Sequence, residues 1–164
     1  MDYITIHYVW LGGKPLSQSA KYCINSWRKF CPSCEIKEWN ETNFPIEKYT
    51  WVREAIHSKK YAFASDYIRI KVLQEYGGVY MDTDVELTKD ITPLLKVSFV
   101  TGFLNHHFGT DYMKNVSDDG MLIGSGDKAT GFGINTGFIY AKPHHPVIDL
   151  LDSKIYMGGG KNTF

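Results

Sequence analysis

Two aspartates one residue apart, Asp82 and Asp84, close the run Glu75-Tyr76-Gly77-Gly78-Val79-Tyr80-Met81-Asp82-Thr83-Asp84-Val85. The apolar residues before them read as a strand, so the pair falls where strand gives way to loop and both carboxylates can turn toward one ion. A hard divalent cation takes oxygen ligands, and the positions that two acids leave open go to water and to substrate phosphate. Asp-x-Asp alone is a weak signal, arising by chance roughly once in a few hundred residues. Its setting strengthens it, because the glycine pair Gly77-Gly78 has no side chains to hold a diphosphate away from the backbone.

Other polar groups with chemical potential are spread along the chain. Asp66 and Arg69 stand three apart in a helical pattern and share a face, with Ser65 beside them; a surface ion pair would explain the spacing equally well. Trp10 ends an apolar run, at the edge where open α/β sheets bind ligands, and a core tryptophan is its plainer reading. Tyr80, inside the strand before the acids, has the same two readings. Asn135 lies in Gly133-Ile134-Asn135-Thr136-Gly137.

These residues need elements to position them. Tyr3 to Trp10 is β-branched and aromatic and breaks at Gly12-Gly13 and Pro15, which reads as a strand entering a loop. Ser17 starts a helix whose apolar stripe is Ala20, Cys23, Ile24, Trp27 and Phe30, stopped by Pro32. A strand follows from Cys34 to Trp39, then a turn at Asn40-Glu41-Thr42-Asn43. Helical patterns run from Ile46 to His57 and from Tyr61 to Tyr76, the second with Ala64, Ile68, Val72 and Tyr76 at four-residue steps. Val79 to Met81 and Val85 to Leu87 read as short strands around the acidic pair, and Val97 to Leu104 as a buried strand. From Asn105 to Gly133 periodicity dissolves into Gly, Asp and His, as in a long surface loop. Ile134 to Ala141 is a strand and Pro146 to Ile155 a helix. Alternating strands and helices, with no repeat, low-complexity tract or linker, predict one α/β domain over residues 1–164 with a mostly parallel sheet.

Composition narrows the function classes. A chain of 164 residues that is 43% hydrophobic and 15% aromatic folds around a core. Lys plus Arg and Asp plus Glu are 18 each, so no global field attracts a polyanion and nucleic acid is a poor partner. No apolar run approaches the ~20 residues of a membrane span. The start, Met1-Asp2-Tyr3-Ile4-Thr5, lacks the layout of a signal peptide, so the expected location is cytoplasmic, with the inner face of a membrane as a peripheral site. Cys23, Cys31 and Cys34 are odd in number, against a secreted disulfide framework, and Cys31-Pro32-Ser33-Cys34 reads as packing and turn residues before a zinc half-site or redox pair. His106-His107 and His144-His145 are neighbours in sequence, and such neighbours usually point in different directions and rarely share one ion.

Three segments in order then carry a resemblance: His7-Tyr8-Val9-Trp10-Leu11-Gly12-Gly13, Ala62-Phe63-Ala64-Ser65-Asp66-Tyr67-Ile68-Arg69, and Tyr76 through Asp84. Together they are similar to glycosyltransferase family 32, which includes the glucosyltransferase domain of large clostridial toxins and bacterial capsule and surface-polysaccharide enzymes. The resemblance implies a GT-A fold with a Rossmann-like, mostly parallel sheet flanked by helices. It implies a nucleotide diphosphate sugar donor, usually a UDP-sugar, a divalent Mn2+ or Mg2+, and transfer with retention to a glycan, lipid-linked glycan or protein, as in surface-polysaccharide synthesis. By the same resemblance Asp84 contacts the metal directly, and Asp82 reaches ribose and metal. Asp66 holds sugar hydroxyls and Arg69 lies beside sugar and diphosphate, so Asp66, Arg69, Asp82 and Asp84 form the catalytic set. Val9, Trp10, Ser65, Tyr80 and Asn135 complete the donor contacts, with Trp10 stacking on the base.

The chain departs from that family at its end. Members continue into a His and Ser-Trp segment that closes over the donor phosphates, whereas this sequence stops at Gly158-Gly159-Gly160-Lys161-Asn162-Thr163-Phe164, so the fold is expected to be C-terminally incomplete. Two other readings compete. One is a domain that binds a nucleotide sugar or glycan without transferring it. The other is a phosphohydrolase of the haloacid dehalogenase type, which also places Asp-x-Asp after a strand. That motif expects Thr or Val where this chain has Glu86, and it usually lies in the first strand, whereas here about half the chain precedes it.

Overall fold

The computed structural model describes residues 4–105 and 132–158. The strands are β1 (Thr5–Val9), β2 (Glu35–Trp39), β3 (Gly78–Met81), β4 (Phe99–Asn105) and β5 (Phe132–Ala141), and the helices α1 (Gln18–Phe30), α2 (Thr50–His57), α3 (Tyr61–Tyr76) and α4 (Pro146–Gly158). They form one sheet in the order β2-β1-β3-β5-β4. β1 pairs in parallel with β2, from Thr5↔Glu35 to Val9↔Trp39, and with β3 at Ile6↔Val79 and His7↔Tyr80. β5 runs antiparallel between β3 and β4, so four of the five strands point one way.

Alternation along the strands divides the core into two layers. Ile6, Tyr8, Val79 and Met81 face α1 and pack on Cys23, Ile24 and Trp27. Val9, Tyr80, Ile139 and Ala141 face the other way, onto Val52, Ala64, Ile68, Leu73 and Ile148 from α2, α3 and α4. The expected α/β layering is therefore present. α1 begins at its capping residue, Ser17, whose hydroxyl accepts from Ala20 N at 3.1 Å. It ends where Cys31 N–H bonds Trp27 O.

Several boundaries differ from the sequence reading, each for a visible reason. The helical stretch from Ile46 breaks into a 3-10 turn (Ile46–Lys48) and α2, because Tyr49 adopts an extended backbone that sets its ring 5.4 Å from Phe44 and 5.5 Å from Tyr67. Val85 to Leu87 is not a strand. Its backbone is satisfied by α1 side chains instead: Trp27 Nε1 donates to Val85 O at 2.7 Å, and Leu87 N donates to Ser26 Oγ at 2.8 Å. β4 is an edge strand, half-buried at Phe99 and Val100, rather than a buried one. Tyr76 leaves the buried stripe of α3 and packs its ring 5.4 Å from Trp39. Cys31 and Cys34, read as packing and turn residues, are joined as a disulfide, while Cys23 is free and buried. Their Cα atoms lie 5.4 Å apart across the turn from α1 into β2, which is bridging distance. His144 and His145 shape the turn before α4, with His145 stacked 5.1 Å from Phe99. The expected loop, apart from its ends in β4 and β5, lies outside the described residues, as do His106, His107, Gly159 and Gly160.

The glycine pair also has a different task from the one expected. Gly77, at φ +64°, stops α3; a methyl group there would meet Pro143 at 2.5 Å, and one on Gly78 would meet Thr5 O at 2.6 Å. Both sit at the start of β3, whereas the acids follow its other end. They serve helix termination and close packing, not approach of a diphosphate.

Candidate functional site

At the C-terminal edge of β1 and β3 the chain leaves an open cleft of about 500 Å³. It is lined by Val9, Trp10 and Leu11 after β1, by Tyr61, Ala62, Ser65, Asp66 and Arg69 from the first turns of α3, and by Tyr80, Asp82, Thr83 and Asp84 around the end of β3, with Thr136 from β5. Parallel strands open such a crevice because their connections diverge beyond the carboxyl ends. Every sequence-predicted residue except Asn135 lies on this wall.

The α3 contribution follows from helix geometry: residues 61, 62, 65, 66 and 69 form one stripe. Its N-terminal end is fixed by Tyr61, whose ring lies so near Gly12 that a methyl group there would stand 2.9 Å away. Gly12 N donates to Glu41 Oε1 at 2.6 Å, tying the loop after β1 to the turn after β2. Trp10 is half-buried. It lines the cleft while its Nε1 donates to Lys14 O at 2.6 Å.

Arg69 is the organising charge. With 6% of its side chain exposed, its Nη2 lies 2.7 Å from Asp66 Oδ1 and 3.2 Å from Asp82 Oδ1. Nη1 donates to Thr136 O and reaches Asp82 Oδ2 at 3.5 Å, and the guanidinium carbon lies 4.7 Å from the Tyr80 ring centroid. Only its Nε has no partner among the described residues. The spacing of Asp66 and Arg69 does produce an ion pair, one in which the arginine is buried, the aspartate stays exposed, and the contact extends to Asp82. Tyr80 OH donates to Asp82 Oδ1 at 2.8 Å. Burial raises the Tyr80 pKa above the ordinary tyrosine range, so the phenol stays a donor. Desolvation raises Asp66, Arg69 opposes that, and the Asp82 charge adds to it.

Asp84 differs from both. It is exposed and makes no hydrogen bond or ion pair with the described residues. The turn that displays it is closed by Val85 N donating to Asp82 O at 3.0 Å. A bare carboxylate at Asp84 and a lightly held Oδ2 on Asp82 are hard oxygen donors, which suits Mg2+ or Mn2+. No group of three or more His, Cys, Asp or Glu among the described residues surrounds them, so two acids fit a cation whose other positions go to water and a diphosphate.

Asn135 stands behind the wall. Its Oδ1 accepts from Gly137 N at 2.8 Å, and its backbone oxygen accepts from the Thr101 hydroxyl at 2.9 Å. The sequence reading missed Leu11, Tyr61, Ala62, Thr83 and Thr136 as cleft residues. Helical spacing from Asp66 and Arg69 already places Tyr61 and Ala62 on their face, whereas Thr136 reaches the site only through sheet pairing.

Residues 17–100 match the family described as a glycosyltransferase sugar-binding region containing the DXD motif, and the chain belongs to that family. Asp82-Thr83-Asp84 is its DXD. Among relatives, inositol phosphoceramide mannosyltransferase 1 of Schizosaccharomyces pombe is 40% identical over 60 residues, 35% of this chain and 19% of that protein. An uncharacterised glycosyltransferase of Acanthamoeba polyphaga mimivirus is 25% identical over 162 residues, 93% of this chain and 55% of the other. In fold the chain is similar to PaToxG Glycosyltransferase, with a TM-score of 0.59 and 20% identity over 96% of this chain and 62% of that one. The architecture is the expected GT-A fold. The chain spans only part of each of these proteins.

Proposed function

We propose that the cleft binds a nucleotide diphosphate sugar, with uridine diphosphate as the nucleotide, and that the protein transfers the sugar with retention to a glycan, lipid-linked glycan or protein acceptor. One observation carries this reading. Among the described residues, three carboxylates, Asp66, Asp82 and Asp84, line the cleft with a single guanidinium, Arg69, and no other charged residue. Such a site repels a diphosphate by itself and accepts it together with a cation, Mn2+ or Mg2+, held by Asp82 and Asp84. When bound, the cation supplies neutralisation of the charge that builds on the departing diphosphate.

The chain's own groups supply orientation and field. Trp10 offers an aromatic face to the base beside Val9. Asp66, 56% exposed at the rim, accepts from sugar hydroxyls, with Ser65 next to it. Arg69, fixed beneath them, adds positive potential where negative charge develops and needs no reorganisation to do so. Among the described residues no cleft side chain is committed as a nucleophile, and retention then corresponds to attack from the face the diphosphate leaves. The acceptor oxygen bonds to the anomeric carbon as the carbon–phosphate oxygen bond breaks, and that oxygen takes the acceptor proton. Positioning and leaving-group stabilisation then supply most of the rate.

The name of the yeast relative joins mannose to a sphingolipid acceptor, so a lipid headgroup belongs in the acceptor panel beside the sugars of surface polysaccharides. Calorimetry with uridine diphosphate, with and without Mn2+, is the first test. Binding should require the metal, fall sharply in Asp84→Asn and quench Trp10 fluorescence; equal binding after chelation would sink the metal role. Donor hydrolysis, assayed across UDP-sugars without an acceptor, should yield the retained anomer. Asp66→Asn and Arg69→Lys should lower turnover more than nucleotide affinity. Nucleotide-sugar binding with no hydrolysis or transfer by the whole protein would identify a binding domain instead.

A further inference from the structure

The cradle around Asp82 is built largely by β5. The register of β5 against β4 jumps from Thr101↔Ile139 to Gly102↔Asn135, so Thr136, Gly137 and Phe138 bulge out of the ladder. Thr101 closes the bulge, its hydroxyl lying 2.9 Å from Asn135 O and 3.1 Å from Phe138 O. Bulges next to sites re-aim groups that a regular strand would misplace. Here the bulge turns three groups toward one aspartate. Gly137 O accepts from Asp82 N at 2.9 Å, Thr136 O accepts from Arg69, which in turn grips the Asp82 carboxylate, and the bare Cα of Gly137 leaves room for that carboxylate. A methyl group on Gly137 would stand 3.0 Å from Asp82 Oδ2 and 3.1 Å from Asn135 Oδ1, tighter than side-chain carbons normally sit. The Gly137 backbone lies outside the left-handed region, so glycine is needed there for space and not for φ.

We infer that Gly137 is a positioning residue: together with the Asn135–Gly137 bulge it fixes the direction of the Asp82 carboxylate and so sets how well the site holds a cation and nucleotide diphosphate. The functional half of this inference rests on the reading of the cleft given above. The contact half stands on the geometry alone.

Gly102 supplies the control, since a methyl group there meets the Asn135 side chain at ordinary contact distances, 3.6 Å from Cβ and 3.8 Å from Nδ2. An alanine at an unstrained strand glycine ordinarily stabilises through the unfolded chain, and Gly102→Ala should leave the melting temperature level or higher. Gly137→Ala should lower it by ~2–4 °C. In an Asp82→Ala background that drop should shrink, because the displaced carboxylate is gone and only the 3.1 Å contact with Asn135 Oδ1 remains. Calorimetry with uridine diphosphate should show Mn2+-dependent affinity ~10-fold weaker in Gly137→Ala, as for a lost partner of a metal ligand, and unchanged in Gly102→Ala. An equal drop in both backgrounds, or an unaltered Mn2+-dependent affinity in Gly137→Ala, would overturn the assignment. If the unsubstituted protein itself shows no metal-dependent binding, the cleft reading fails on that measurement, while the stability cycle still decides whether Gly137 and Asp82 are coupled.

Discussion

A guanidinium buried as deeply as Arg69 must exchange its hydration for fixed acceptors, and it finds them in Asp66, Asp82 and Thr136. Breaking a fully buried pair costs about 3–5 kcal/mol. Asp66 and Asp82 keep 56% and 33% of their side-chain surface in water, so they can be resolvated when the cation is lost. Arg69→Ala should therefore destabilise by about 1–3 kcal/mol in urea unfolding at neutral pH, below the buried-pair figure. Arg69→Lys should recover only part of this, because one ammonium cannot bridge two carboxylates and a carbonyl in fixed geometry. A loss within ~0.5 kcal/mol for Arg69→Ala would mean that the network is as weak as an ordinary surface pair.

Among the elements, α1 does more than cover a sheet face. Ser26 Oγ donates to Cys23 O at 2.6 Å and accepts from Leu87 N, while Trp27 Nε1 caps Val85 O. The backbone that follows the DXD thus hangs from a helix some sixty positions earlier in sequence. Ser26→Ala strips the buried Leu87 N–H of its acceptor and should cost ~1–3 kcal/mol. It should also raise hydrogen exchange at residues 83–87 while leaving α2 and α3 protected; uniform exchange across the chain would point to a global effect instead. This is also why Val85 to Leu87 reads as a strand in the sequence and is none in the structure. Alternating Val and Leu is what a strand looks like, and nothing local reveals that its partner is a pair of helical side chains.

At the scale of the whole molecule, His7 joins three elements. Trp39 Nε1 donates to its Nδ1 at 3.1 Å, which leaves Nε2 to carry the proton and donate to Gly77 O at 3.0 Å. Burial holds its pKa down at about 4, from an ordinary 6.5, and Lys37 pushes the same way against the Gly77 bond. Between those values the unfolded chain binds a proton that the native one refuses. Stability is therefore full above pH 6.5 and falls as pH drops toward 4, by on the order of 3 kcal/mol. Chemical denaturation from pH 7 to 4 checks this. In His7→Gln the slope across that window should flatten; an unchanged slope would assign it to the carboxylates.

The sequence by itself determined most of the local elements and most of the residues that line the cleft. The period-two pattern of β1, the stripe and Ser17 cap of α1, the limits of α3 and the DXD after β3 are written in nearest-neighbour spacing, and the structure keeps them. Only tertiary structure decided what those residues meet. That Asp66 and Asp82 share one buried arginine, that Gly77 and Gly78 pack against Pro143 and Thr5, that Cys31 bridges Cys34, and that Gly137 makes room for Asp82 are consequences of chain crossings. Hydrophobic period and helix caps act over a few residues and leave a mark in the string. Ion pairs, strand bulges and close backbone approach depend on which distant segments the sheet order β2-β1-β3-β5-β4 brings side by side, and that order is set by the packing of the two core layers rather than by any one stretch of sequence.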